Sequence, residues 1–543
     1  MKTMLIAINS KYIHPNLAVR YLKANTHYPV DVFEYTIKDT QEKIIEDIMT
    51  YQAHLIGFSV YIWNIEIIKA LLKKIRALSP KTKLLLGGPE VSYVNEGFFK
   101  DDLADYIIVN EGEESFNLLL EALHQEDNLK NIPNLIYKEK DLIIKNKIKI
   151  IKNLDNLNNP YFILDHDDYQ HKIQYLELSR GCPYQCAYCL ASLEKGLRFF
   201  SLDHVKEILD SLIKRGGKTF KFLDRSFNAN PKLAQEFLEY IISRNDKNIV
   251  YQFEINGDVL KKPFIEFLVN KAPKNLIRFE LGIQSTNDQV NQEVNRYQDT
   301  QKLIANIQEL KKSNVTLHLD LIAGLPYEDL NSFKNTFNTI YQLFPDELQL
   351  GFLKILKGTS IYYKTKEHQI NYQQVAPYEI IDSKYIDQAS LEIIHQVETM
   401  LNIYWNKGFL NKSIKFLTKD MDAFDFYLQM YDFFKKKNYS TLRYHFKDLF
   451  IYLIEFLKVN QLFTNQIESY LKYDFLNHYP IKPQIYWEHL DNKNDILRSF
   501  HQKHPEFKID DLYKYALVTD YLDGYLIVLY HPKHKDIIEY KND

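Results

Sequence analysis

All three cysteines of this 543-residue chain lie in one stretch, Gly181-Cys182-Pro183-Tyr184-Gln185-Cys186-Ala187-Tyr188-Cys189. Three thiolates on so short a loop can ligate three irons of a four-iron, four-sulfur cube and leave the fourth iron without a protein ligand. An open iron binds a small molecule. A zinc site ordinarily draws four ligands from paired CxxC or CxxC and HxxxH spacings. This loop offers three, and His166, His171 and His204 stand too far along the chain to complete such a motif. A disulfide framework does not fit three thiols in a chain this long with no secretory signal, which points to a reducing compartment. Chance would scatter the three residues.

The CxxxCxxC triplet, with the aromatic Tyr188 before its last cysteine, resembles the signature of the radical S-adenosylmethionine superfamily. The resemblance implies that the open iron of a 4Fe-4S cluster chelates the amino and carboxylate groups of the methionine moiety. It implies that an electron from the reduced cluster cleaves the carbon–sulfur bond to give a 5'-deoxyadenosyl radical, and that Tyr188 packs near the adenine. A reducing partner such as flavodoxin or ferredoxin is then required. Enzymes with auxiliary clusters need further thiolates, and this chain has none to offer.

The elements that must carry such a loop are legible as alternating patterns. Through residue 125 short β-branched runs alternate with amphipathic helical stretches, which predicts βα units and a parallel sheet. Strands are expected at Met4–Asn9, Val30–Tyr35, Leu55–Tyr61, Lys83–Leu86 and Tyr106–Val109, and Ile65, Ile68, Leu71, Leu72 and Ile75 recur at helical spacing. Ligands bind at the carboxyl ends of such strands. Those ends read Gly57-Phe58-Ser59-Val60-Tyr61, Gly87-Gly88-Pro89-Glu90 and Asn110-Glu111-Gly112-Glu113. Glycine there lets backbone approach a bulky ligand.

The order and spacing of Ser59 and the Gly87-Gly88 pair resemble cobalamin-binding domains, and the Glu-Gly-Glu segment resembles the version fused to radical enzymes. Ser59, Tyr61, Gly87, Gly88, Glu111 and Gly112 are the cobalamin contacts the resemblance implies. Domains that ligate cobalt from below carry Asp-x-His-x-x-Gly after the first strand. The loop here reads Tyr12-Ile13-His14-Pro15-Asn16-Leu17, without the aspartate that would orient His14 or the glycine. A ligating imidazole usually has such a carboxylate partner, so cobalamin is expected to bind without His14 on cobalt. A flavodoxin-like domain that binds nothing is the alternative.

Residues 126–170 are polar and read as a linker, with a hairpin at Leu135–Tyr137 and Leu142–Ile144. From Ile173 strands are expected at Gln174–Ser179, Thr219–Leu223, Val250–Ile255, Leu276–Ile283, Val315–Ala323 and Glu347–Ile355. Six βα units make a partial barrel, and the cysteine loop follows the first strand, at the rim where barrel chemistry is sited. The segments ending these strands resemble those of the superfamily. Asp224 is expected to meet the methionine amino group, and Glu254, a carboxylate in an apolar strand that needs a partner, to face the barrel mouth or pair with Arg278. Glu280 and Gln284 leave room for the ribose with Gly282 between them, and Gly324 lies under adenine.

The expected fold class is therefore α/β: a Rossmann-like (flavodoxin-like) cobalamin-type domain over 1–125, a linker over 126–170, a partial β/α barrel with six parallel strands over 171–361, and a mainly α-helical C-terminal domain over 362–543. The last resembles an accessory module of bacterial cobalamin-type radical enzymes and includes helices at Leu391–Ile403, Phe424–Phe434 and Tyr444–Phe456 and a strand at Tyr525–Tyr530. With 68 Lys and Arg against 71 Asp and Glu, a net charge of -3 leaves no electrostatic footprint for sequence-independent nucleic-acid binding. No apolar run approaches the roughly 18 residues of a membrane span, and a cytoplasmic location is expected. The resemblance implies a cobalamin-dependent methyltransferase acting on an unactivated carbon, methylcobalamin supplying the methyl group. The alternatives are a radical enzyme performing a non-methylating rearrangement, cyclisation or oxidation, and a cobalamin or redox sensor without turnover.

Overall fold

The structure, a computed structural model, describes residues 1–162, 168–194, 196–483 and 490–541. Two compact units divide the chain: Met1–Phe333 with Leu350–Leu391, and Lys334–Gln349 with Glu392–Asp543.

In the first unit, strands β1 (Thr3–Asn9), β2 (Val30–Thr36), β3 (Leu55–Ser59), β4 (Lys83–Gly87) and β5 (Tyr106–Ile108) form a parallel sheet in the order β2-β1-β3-β4-β5. β1 is buried along its whole length, because helices cover both faces of a parallel sheet. The helix Ile65–Leu78 buries Ile65, Ile68, Leu71, Leu72 and Ile75, the stripe expected from their spacing. Strand order reverses between β1 and β3, which makes their carboxyl ends the crevice of a doubly wound sheet. The stretch read as a linker does more than connect. Its hairpin, β6 (Leu135–Glu139) and β7 (Leu142–Lys145), extends the same sheet antiparallel beyond β5.

Strands β8 (Gln174–Leu176), β9 (Ser179–Arg180), β10 (Arg198–Phe199), β11 (Thr219–Phe222), β12 (Val250–Ile255), β13 (Ile277–Gln284), β14 (Thr316–Ala323) and β15 (Glu347–Phe352) follow. Six of them form a second sheet ordered β15-β14-β13-β12-β11-β8, parallel from β8 through β14. The short β9 and β10 pair antiparallel on either side of the cysteine loop.

Alternation sorts the barrel's residues between core and lumen. In β13, Ile277, Phe279, Leu281 and Ile283 are buried, while Arg278, Glu280, Gly282 and Gln284 alternate with them and stay partly accessible. β12 does the same with Tyr251, Phe253 and Ile255 against Gln252 and Glu254. The apolar side packs on helices such as Leu202–Lys214 and Pro231–Ser243, where Phe222, Phe227, Phe237 and Phe253 interlock with ring centroids 4.1 to 6.3 Å apart. Beyond β15, a strap with strands β16 (Asn371–Tyr372) and β17 (Ile380–Asp382) remains in the first unit through Leu391.

The second unit is mostly helical, as expected, with helices such as Asn411–Thr418, Ala423–Lys437, Phe446–Val459 and Asn465–His478. It also holds an antiparallel sheet of β18 (Ala516–Tyr521), β19 (Gly524–His531) and β20 (His534–Tyr540), of which only the middle strand was expected. No helix among the described residues is long and apolar enough to cross a membrane.

Gly88 adopts φ +108°, and a Cβ there would stand 2.5 Å from Val60 O. The glycine at this strand end thus serves the chain's own turn. Gly88→Ala is expected to destabilise the protein by about 1–3 kcal/mol, read as a lowered thermal melting point. Gly97→Ala, whose Cβ would meet nothing within 4 Å, should leave the melting point unchanged or raise it.

Candidate functional site

The cysteine loop leaves β9 through Gly181, at φ +91°, where a Cβ would overlap Gly196 O. The loop has little secondary structure, so neighbouring segments fix it. Ala187 N–H donates to Val294 O at 2.8 Å, Ala187 O accepts from Ile361 N–H at 2.9 Å, and Cys189 N–H donates to Cys186 O at 3.1 Å. The three thiols are free, Cys186 buried and the other two partly so.

All three line one cavity of about 610 Å³ together with Tyr188, Arg225, Glu254, Asn256, Glu280, Gln284, Arg296 and Asp320, among others. The structure thus gathers the cysteines with four of the residues expected to hold cofactor, Tyr188, Glu254, Glu280 and Gln284. Burial pushes the Cys182 and Cys189 thiols up, partly offset by the charge of Arg225. Binding a cation as thiolates releases those protons. Three sulfur donors around an open cavity, with no histidine in its lining among the described residues, suit a four-iron cube with one unligated iron. His171 is turned to Asp168 at 2.8 Å and His204 stacks on Phe200; His166 lies outside the described residues.

Around the thiols each polar group has an assigned partner or a notable lack of one. The Arg296 guanidinium reaches Tyr188 Oη at 3.4 Å and Cys186 Sγ at 3.9 Å and also donates to Gly282 O. Burial pushes the Tyr188 phenol up, and Arg296 pulls it back. Glu280 is neutralised by Lys221 at 3.0 Å and accepts from the Gln252 amide. Gln284 stands at a register shift between β13 and β14 with φ +68°. A bulge of this kind re-aims a side chain, and Gln284 Oε1 is buried without a hydrogen-bond partner among the described residues. Glu254 has no ion pair there either. Burial raises its pKa, and Arg225 and Lys221 lower it. Arg278, its alternative partner, lies 2.8 Å from His318 Nδ1.

Other expected contacts stand elsewhere. Asp224 is 1 % exposed and does not line the cavity. Its carboxylate accepts from Leu178 N–H at 2.9 Å and Ser179 O–H at 2.5 Å, so it braces the chain just before the cysteine loop. Burial pushes its pKa up to about 7 against the pull of those donors. Gly324, at φ +85°, faces Ile380 of β17, whose Cγ2 would stand 2.9 Å from an added Cβ. Glu111 pairs with Arg198 at 2.8 Å and Arg180 at 3.6 Å, and Glu113 pairs with Arg180 at 2.8 Å. Gly112 caps the helix Glu113–Gln125 against Leu22. The Glu-Gly-Glu segment thereby grips the arginines flanking the cysteine loop, because two buried guanidiniums there need counter-charges.

At the β1/β3 crevice, Ser59 Oγ accepts from Asn16 Nδ2 at 3.0 Å. The Tyr61 ring stacks on Trp63, centroids 4.4 Å apart and planes within 6°. Burial raises the Tyr61 phenol and the charge of Arg225 lowers it. Gly87 leaves only Ile108 O near a would-be Cβ, at 3.6 Å. His14 Nδ1 lies 2.7 Å from Tyr175 Oη.

Arg225, Asn256, Arg296 and Asp320 were not anticipated as cavity residues. Asp320 was readable from the alternation of β14, and Arg225 adjoins Asp224. Arg296 follows a helix in a loop and carried no periodic signal.

A model of the radical SAM superfamily matches residues 176–340, a model of the B12 binding domain matches 4–120, and one described as a protein of unknown function (DUF4080) matches 366–516. An uncharacterized methyltransferase of Pyrococcus horikoshii is 28% identical over 40% of this chain and 50% of its own. An anaerobic magnesium-protoporphyrin IX monomethyl ester cyclase of Synechocystis is 23% identical over 61% and 68%. The chain therefore spans about half the first relative's length and about two thirds of the second's. Among solved structures, the cobalamin-dependent S-adenosylmethionine radical enzyme OxsB, with aqua-cobalamin and S-adenosylmethionine bound, superposes with a TM-score of 0.62 at 15% identity, covering 87% of this chain and 78% of that one. At that identity the likeness concerns the fold.

Asp224→Ala strands two buried donors and is expected to lower stability by about 2–4 kcal/mol, with loss of iron from the reconstituted protein. Since folding raises the Asp224 pKa from 3.8 to about 7, the folded state favours the protonated carboxyl. This contribution is present below the lower value and fades as pH rises through that window. Melting curves across the window should show a pH slope for the native chain that Asp224→Asn reduces.

Proposed function

We propose that this chain, a radical S-adenosylmethionine enzyme carrying a B12-binding domain, methylates an unactivated carbon of its substrate. The observation that supports this most is that one unit holds both a cavity lined by all three cysteines and a doubly wound sheet with a crevice between β1 and β3. The methyltransferase name of the Pyrococcus relative supports the same reaction.

When bound, the cluster and S-adenosylmethionine supply a 5'-deoxyadenosyl radical, and cobalamin supplies the methyl group; the protein's part is binding and exclusion of water. Cys182, Cys186 and Cys189 would hold three irons of the cluster. Arg296 fixes Tyr188 at the cavity wall beside Cys186. Glu254, Glu280 and Gln284 present oxygen and amide groups from adjacent strands, where ribose hydroxyls and the ammonium of S-adenosylmethionine need partners. Ser59, Tyr61, Gly87 and Gly88 would line the crevice that holds cobalamin, and His14 is engaged by Tyr175 Oη. A reducing partner such as flavodoxin or ferredoxin delivers the electron.

The test is product analysis of anaerobically reconstituted protein loaded with cobalamin, methyl-labelled S-adenosylmethionine and a chemical reductant, with a small-molecule cell extract as the source of methyl acceptor. Methyl transfer with remethylation of cobalamin releases both 5'-deoxyadenosine and S-adenosylhomocysteine. Release of 5'-deoxyadenosine alone would make the enzyme a non-methylating one, a reaction class to which the cyclase relative points; release of neither would make it a sensor. Cys186→Ala should lower iron to background and abolish 5'-deoxyadenosine.

A further inference from the structure

Arg225 differs from every other arginine near the cysteine loop. Arg180 is committed to Glu113 and Glu177, at 2.8 and 3.0 Å. Arg198 is committed to Glu111, and Arg296 to Gly282 O and Tyr188. Arg225 has no hydrogen bond and no ion pair within 4.0 Å among the described residues. A guanidinium carries five N–H donors in a fixed plane and no acceptor, so a fork unfilled by protein groups at a cavity wall is open to acceptors on a ligand.

The surroundings hold this fork in place. Asp224, Ser226, Phe227 and Asn228 are all buried, at 1–4 % exposure. Asn228 is locked to the neighbouring strand end, its amide donating to Asn256 O at 2.7 Å and its Oδ1 accepting from Asn256 N–H at 2.9 Å. Arg225 alone in this run is exposed, and its exposed surface lines the cysteine cavity. The side chain leaves a rigid wall and enters open space. Enclosure by the cavity wall works against its charge and the Glu254 and Glu194 carboxylates favour it, neither of them within ion-pair distance of its hydrogen-bonding positions.

We infer that Arg225 receives the carboxylate or phosphate of the enzyme's second substrate, the molecule consumed alongside S-adenosylmethionine. A planar fork binds either anion through two parallel hydrogen bonds. The inference rests on the proposed function, in which the open iron already engages one oxygen of the S-adenosylmethionine carboxylate and the second substrate's anion is the one still to be placed.

The test uses full-length anaerobic protein loaded with cluster, cobalamin and S-adenosylmethionine, with Arg225→Gln and Arg225→Lys beside the native chain. Inorganic phosphate and propionate are the probes, titrated by calorimetry. The native protein should bind at least one of them saturably, Arg225→Gln should weaken that binding at least tenfold, and Arg225→Lys, which keeps charge without the fork, should weaken it less. Affinity for S-adenosylmethionine and cobalamin content should stay within twofold of native in both variants. The inference is overturned if neither probe binds, if binding survives Arg225→Gln, or if that variant loses affinity for S-adenosylmethionine or its cobalamin tenfold, since the anion held would then be the cofactor's own. Absence of both 5'-deoxyadenosine and S-adenosylhomocysteine from the native protein would sink the proposed function instead, whatever the probes do.

Discussion

A loop of three thiols can hold a metal cluster only if something outside the loop holds the loop. Here that role falls on buried ion pairs and two backbone hydrogen bonds. Arg180, one residue before the glycine that turns the chain into the cysteines, is surrounded by Glu111, Glu113 and Glu177. Arg198, on the strand that returns from the loop, shares Glu111. Charges at this depth are costly to leave unpaired. The first domain's Glu-Gly-Glu segment therefore has to sit against the barrel's first strand, and the two domains within this unit cannot separate without exposing both arginines. Val294 and Ile361 grip Ala187 from further along the chain.

The barrel wall solves a second problem, that of placing carboxylates and cations inside a fold without collapsing them onto one another. Strands β11 to β14 direct one residue in two to the lumen, and the lumen residues fall into neutralised and unneutralised sets. Lys221 and Glu280 cancel, with Gln252 beside them. Glu254, Gln284 Oε1 and Arg225 are left without close partners among the described residues. A chamber wall with one open anion, one open cation and one open amide acceptor is prepared for polar ligands. The closed pairs deeper along the strands keep the remaining charge from competing.

The β1/β3 crevice is built differently. It comes from strand order, with β1 and β3 diverging where the sheet reverses. Several of its small residues serve the chain itself: Gly57 lies against Leu5, and Gly88 turns under Val60 O. The flat Tyr61–Trp63 stack and the Ser59 hydroxyl are what that crevice presents.

The sequence by itself determined the chemistry and the frame. Three clustered cysteines with no fourth set the number of ligands. The periods of two and 3.6 placed strands such as β12 and β13 and the helix Ile65–Leu78 almost residue for residue, because those patterns come from local geometry and burial. Glu254, Glu280 and Gln284 were legible as lumen residues for the same reason. What tertiary structure alone decided is which polar groups meet. Asp224 was expected at the ligand and Arg225 was not, yet Asp224 turns inward to brace the chain before the cysteines and Arg225 lines the chamber. Glu111 looked like a ligand contact until Arg198, far along the chain, was brought beside it, and Arg296 reached Cys186 from a loop with no repeating pattern. A charged side chain is settled by its partners across the fold, and such partners are brought together by long-range packing that no local pattern encodes.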